Sequence, residues 1–175
     1  MNETIRLATA ADAAAIATIY NHYIGTTTIS FEEVPVSADA MAQRIADVGQ
    51  RLPWYVCLQD DAVVGYAYAT PWRVRSAYRF SVETSVYLDA ARTGRGIGAR
   101  LYRTLLDELR ARGLRVVIGG IAQPNAASVR LHESLGFVKV AHFSNVGQKF
   151  GRWVDVGYWE LQLHSAPEEG TAAAR

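Results

Sequence analysis

Three glycines at alternate positions and three arginines crowd into Arg92-Thr93-Gly94-Arg95-Gly96-Ile97-Gly98-Ala99-Arg100. A run of this kind is suited to holding an anion. Glycine lets the backbone turn so that successive N–H groups point the same way, and a helix beginning at the turn adds positive potential from its dipole. The strand-like Ser85-Val86-Tyr87-Leu88 precedes the run and the amphipathic stretch Leu101 to Leu109 follows it, so the turn lies at a helix N-terminus. Arg92, Arg95 and Arg100 reinforce the same sign of charge. Ala99 and Arg100, rather than Lys and Ser or Thr, follow Gly98, which argues against a Walker-type ATP loop. A dinucleotide fold needs its glycines in the first strand–helix unit, whereas here about three strands come first. What remains is a pyrophosphate-bearing ligand of another kind.

The elements that position this turn are legible around it. Thr4-Ile5-Arg6-Leu7-Ala8 alternates as a strand, and Thr9 or Asp12 can cap a helix carrying Ile16, Ile19, Tyr20 and Tyr23 and ended by Gly25. A second helix is expected from Ser37 to Gly49. Pro53–Leu58 and Ala62–Thr70 read as strands around a Gln59-Asp60-Asp61 hairpin turn. Phe80–Leu88 is the next strand, the glycine turn leads a helix to about Arg112, and Gly113 stops it. Leu114–Ala122 reads as a buried apolar strand. Pro124 and Asn125 open a helix ending at Gly136, and Phe137–Phe143 and Trp153–Leu163 supply two more strands. This order predicts an α+β, mixed three-layer α/β/α fold, as one domain over residues 1–164. The small, polar tail 165–175 is expected to be disordered.

Composition excludes several functions. A net charge of +1 over 175 residues provides no global field for nucleic acid or an anionic membrane. No leader and no apolar run near 18 residues is present, which predicts a soluble, cytoplasmic protein. The single cysteine, Cys57, lies in the apolar run Trp54–Leu58 and reads as a buried thiol, and the four histidines, His22, His132, His142 and His164, lack metal-ligand spacing. No metal is expected.

The segments Val86-Tyr87-Leu88, Gly94-Arg95-Gly96-Ile97-Gly98, Asn125-Ala126-Ala127-Ser128 and Leu131-His132-Glu133-Ser134-Leu135-Gly136-Phe137 together resemble the acetyl-CoA-binding core of GCN5-related N-acetyltransferases. Within that superfamily, Trp72 to Tyr78, Val82 to Tyr87 and Gly151 to Gly157 resemble the phosphinothricin and methionine-sulfoximine acetyltransferases. The resemblance runs from Ile5 to about Leu163. One departure is Thr93, where the superfamily has Gln or Arg. The resemblance implies a central mixed sheet of six or seven strands, splayed beside the glycine turn, and a homodimer rich in late aromatics (Phe150, Trp153, Tyr158, Trp159). Acetyl-CoA would be the co-substrate, and the acceptor a small glutamate-like amino acid with a phosphinic, sulfoximine or similar head.

Roles follow for particular residues. Strand N–H groups at Val86, Tyr87 and Leu88 can bind the pantetheine arm and polarise the thioester oxygen, while Gly94, Arg95, Gly96, Ile97, Gly98 and Ala99 hold the pyrophosphate. Asn125 can contact the cofactor, cap its helix, or do both. Alternation places Glu83 with Ser85 on one strand face and Val82, Thr84 and Val86 on the other. A carboxylate in so apolar a strand is either paired, to Arg79 or Arg95, or partly desolvated, with a raised pKa suited to a base. His132 is the second catalytic candidate, as acid or base, with ordinary packing as its alternative. Arg73 and Arg75 can clamp an anionic acceptor through paired bonds, Arg75 foremost and Arg73 nearer solvent. Tyr78 and Phe31 complete the acceptor set, Phe31 reading equally well as core, with Lys149, Arg152 and Asp155 in a late loop. Competing functions are acetylation of a protein N-terminus or another small amine, and a non-catalytic acyl-CoA sensor. The paired arginines favour a small anionic acceptor, and Glu83 with His132 disfavours the sensor.

Overall fold

A computed structural model describes residues 2–164, and the tail 165–175 lies outside them. Seven strands form one mixed sheet: β1 Glu3–Leu7, β2 Trp54–Gln59, β3 Ala62–Pro71, β4 Ser81–Leu88, β5 Val116–Gln123, β6 Val138–Lys149 and β7 Arg152–Gln162. Their spatial order is β1-β2-β3-β4-β5-β7-β6. The first four make an antiparallel meander, turned between β2 and β3 by Asp60 and Asp61 at φ 48° and 65°, the two left-handed positions that a tight hairpin requires. Strand β4 meets β5 in parallel over only three pairs, Ser81↔Val116, Val82↔Val117 and Glu83↔Ile118. Beyond Glu83 the two strands part, giving the expected splay.

Helices α1 (Ala13–Thr26) and α2 (Ala38–Gly49) pack on one face, α3 (Ile97–Ala111) and α4 (Ala126–Ser134) on the other. Each face has its own apolar cluster. In α3, Leu101, Leu105 and Leu109 recur at helical spacing and are fully buried. Each contributes about 1.5–3 kcal/mol by leaving water, well above the few tenths typical of a surface pair such as Arg112–Glu108. Packing therefore holds this helix. Cys57 is buried in the same cluster.

Several element ends shift by one or two residues, β5 starting at Val116 rather than Leu114, and two differences have a visible local cause. Helix α1 runs through Gly25 to Thr26, because the Thr26 and Thr27 hydroxyls donate to the carbonyls of His22 and Tyr23 and close its last turn. Strand β6 continues past Phe143 to Lys149. Ser144-Asn145-Val146-Gly147 looks like a loop in sequence, yet forms an irregularity within the strand, with Asn145 at φ 53° and its N–H donating 2.8 Å to Asp155 Oδ1.

Candidate active site

The splay opens a groove of about 570 Å³ between β4, the glycine turn and α4. Its walls include Val86, Tyr87, Leu88, Gly94, Gly96, Gly98, Ala99 and Asn125, all expected from the sequence. Gly94 and Gly96 both have φ +75°, and Gly96 is the N-cap of α3. A Cβ on Gly94 would meet nothing, and one on Gly96 only the flexible Arg100 head at 3.0 Å. The turn is thus glycine for its left-handed backbone, and its outer side is open to a ligand. The β5-facing edge of β4 beyond Glu83 has no ladder partner among the described residues and faces the groove. Asn125 does cap α4, its side chain accepting from Ser128 N–H at 3.1 Å, and still lines the groove.

Two expected cofactor residues are outside the groove lining and have their backbone N–H groups to offer the turn. Ile97 is fully buried in the α3 core, and Arg95 is outside the lining residues, its carbonyl accepting from Arg100. Arg100 itself is engaged by Glu3 through two contacts of 2.6 and 2.7 Å, which neutralises the charge it would lend the turn. Sequence reasoning missed Tyr23, Ile29, Ser128 and Arg130. Helical spacing from Asn125 could have found Ser128. Tyr23 is a matter of tertiary placement: its hydroxyl donates 2.7 Å to the Leu88 carbonyl. Thr93 also lines the groove.

Glu83 is half-buried at the last paired position before the splay. Among the described residues it forms no salt bridge, so neither Arg79 nor Arg95 neutralises it. Burial raises its pKa, and Arg73 pulls the other way. Such a carboxylate is poised to accept a proton.

His132 is 4% exposed and outside the groove lining. Its Nδ1 lies 2.8 Å from the Ser128 carbonyl, an acceptor only, so Nδ1 carries the proton. Nε2 then accepts from the Tyr102 hydroxyl at 3.0 Å, and Tyr102 in turn accepts from Thr84 of β4. Burial lowers the His132 pKa, favouring the neutral ring. The structure thus ties His132 to β4 through Tyr102 and does not bring it to the groove.

The two arginines separate in a way the sequence does not foretell. Arg73 stacks on Trp72 at 4.1 Å, and its charge is the one felt by Glu83. Arg75 and Tyr78 line a cleft of about 580 Å³, also bordered by Arg73, whose other lining includes Arg51, Arg79, Val82 and Leu114. Val82 and Leu114 belong to the α3-side core, so the cleft backs onto the face opposite Glu83. Phe31 is neither core nor free: it is 43% exposed, with its ring over Gly147, where any Cβ would collide. The loop carrying Phe31 is fastened by Lys149, whose buried Nζ donates 2.6 Å to the Ser30 carbonyl, and by the Arg44–Glu32 pair. Asp155 pairs with His142 rather than with Lys149 or Arg152.

The family model for the acetyltransferase (GNAT) domain matches residues 5–157. The chain belongs to this family. Among its relatives within the GNAT family, a phosphinothricin N-acetyltransferase of Streptomyces viridochromogenes is 41% identical over 156 residues, covering 89% of this chain and 85% of that protein. An L-methionine sulfoximine/L-methionine sulfone acetyltransferase of Salmonella typhimurium is 40% identical, covering 94% and 98%. A GNAT superfamily phosphinothricin acetyltransferase from Sinorhizobium meliloti, solved in complex with AcCoA, superposes with a TM-score of 0.90 at 37% identity, covering 99% of this chain and 97% of that one. The GNAT fold expected from the motifs, with its splayed mixed sheet, is therefore the fold observed, and the protein is an acetyltransferase.

Proposed function

We propose that this GNAT acetyltransferase moves an acetyl group from acetyl-CoA to the free amine of a small, glutamate-like amino-acid analogue such as phosphinothricin or methionine sulfoximine. One domain over residues 1–164 suffices for it. The observation that carries the reading is the unpaired, half-buried Glu83 at the splay, next to a groove with an open glycine turn. The names of the relatives give the acceptor class.

The groove fits acetyl-CoA in the nature of its lining. Backbone donors and a helix N-terminus at Gly94 to Ala99 suit a pyrophosphate, and the unpaired edge of β4 suits an amide-bearing arm. When bound, the thioester supplies the activated acyl group. Transfer forms a C–N bond, breaks the C–S bond, takes a proton from the amine and returns one to the thiolate. Glu83 takes the amine proton, directly or through water, β4 backbone donors polarise the carbonyl, and Arg73 holds the acceptor's acidic group. His132, held neutral by burial and tied to β4 through Tyr102, fixes α4 against β4 and so keeps the groove in register.

Thiol release from acetyl-CoA, measured over a panel of phosphinic, sulfoximine and ordinary amino acids and an N-terminal peptide, tests the reading. It fails if only the peptide is acetylated. Arg73→Ala should raise the KM for an acidic acceptor about tenfold to a hundredfold, the loss of a charge-assisted contact worth about 1.5–3 kcal/mol, with the KM for acetyl-CoA unchanged. Arg75→Ala should do less. Equal effects would remove the distinction drawn from Glu83's surroundings.

The protein is further proposed to be a cytoplasmic homodimer. Edge strand β6 and its hairpin expose Val138, Val140, Phe143, Val146, Phe150 and Trp153, each at least half accessible, an apolar surface of the kind that a second copy covers. Of the late aromatics, Trp159 does not contribute, being 2% exposed. Sedimentation at micromolar concentration should give twice the chain mass, and a monomer would refute it.

A further inference from the structure

Strand β5 contains two adjacent glycines whose φ angles are ordinary, so their need is for space. They face opposite sides of the sheet. A Cβ on Gly119 would run into the His132 ring at 2.6 Å, and one on Gly120 would lie 3.0 Å from Glu83 Oε1 and 3.2 Å from Cε1 of Tyr158. Gly120 pairs with Tyr158 in the β5–β7 ladder and is exposed. Glu83 on β4 and Tyr158 on β7 therefore lean toward one another from either side of a strand whose bare backbone is the floor between them. The ring is held edge-on by Trp72 at 5.7 Å and by Phe143 at 5.6 Å, and Trp72 in turn carries the Arg73 guanidinium.

We propose that Tyr158 is a positioning residue for Glu83, its ring walling the carboxylate from the β7 side across the open Gly120 floor and aiming it at the acceptor amine. This rests on Glu83 being the base of the proposed reaction. The ring, not the hydroxyl, is the working part, because it is the ring edge that approaches the space beside Glu83. The groups whose charge couples to Glu83 are Arg73 from the segment after β3, Tyr68 within β3, Tyr158 from β7 and Tyr102 from α3. The phenols are neutral at working pH, with their pKa values raised by burial. Dryness therefore raises Glu83's proton affinity against the pull of Arg73 alone, and admitting water lowers it.

The test compares Tyr158→Phe, Tyr158→Ala and Gly120→Ala in the full chain. Two readouts are used: the pH profile of kcat/KM, and titration of the Glu83 carboxyl by infrared difference against Glu83→Gln, which needs no acceptor. Tyr158→Phe should keep the wild-type profile. Tyr158→Ala should move the acid limb and the carboxyl titration to lower pH and lower kcat about tenfold, with the KM for acetyl-CoA unchanged. Gly120→Ala, whose methyl group would displace water beside the carboxylate, should move the carboxyl titration to higher pH; it stands in if Tyr158→Ala fails to fold, and an unmoved titration there overturns the proposal. An unmoved Glu83 titration in Tyr158→Ala overturns the proposal, as does a Tyr158→Phe variant as impaired as Tyr158→Ala. If no acceptor in the panel releases thiol while the titration still shifts, the acceptor reading fails and the positioning role stands.

Discussion

Replacement of Glu83 by Gln should lower kcat by about 10² to 10⁴-fold, the usual contribution of a positioned general base, while the KM for acetyl-CoA stays within about twofold. The amide keeps the shape and cannot take a proton. The sign of the pH dependence follows from the environment. Burial raises the Glu83 pKa, and the base must be ionised to act, so wild-type kcat/KM falls as pH drops through that raised value and is full above it. The Gln variant should lack this limb. A retained limb, measured on an acceptor whose own amine titrates well above the range, would remove Glu83 from the proton path.

Gly96→Val should act on the other substrate. Gly96 is at φ +75° and begins α3, and a β-branched residue held there costs about 1–3 kcal/mol. The turn would relax away from the geometry that aims its N–H groups outward, so affinity for acetyl-CoA should fall about tenfold or more. The kcat at saturating cofactor should change far less. Calorimetric titration of acetyl-CoA into the folded variant is the check, and undiminished affinity would contradict the assignment of the turn.

What could be read from the residues alone was whatever local chemistry decides. The left-handed glycines, the Asp60-Asp61 hairpin, the α3 stripe and the face-alternation of β4 each follow from a few neighbouring residues, and each stands as expected. Residues whose partners are far away in sequence were harder. Arg100 looks like a free charge until Glu3 arrives from the N-terminal strand; His132 reads as acid, base or packing residue until Tyr102 and the Gly119 socket enclose it; Arg75 reads as the foremost clamp until the fold makes Arg73 the charge that reaches Glu83. One further signal lies in the sequence. Glycine weakens a strand interior and marks close approach of another group, and Gly119, Gly120 and Gly147 each lie against a side chain that the sequence had already singled out.

The seam between the sheet's halves has a mechanical meaning. Three residue pairs join β4 to β5, against seven between β3 and β4 and eight between β5 and β7. Relative motion of two stiff halves concentrates where the link between them is shortest, and the seam ends at Glu83. Such motion has its largest amplitude at the far end, around Leu88 and the glycine turn, and its smallest at the pivot. The mouth that must admit a long, flexible thioester can therefore widen and narrow while Glu83, the proposed base, sitting on the hinge itself, scarcely moves.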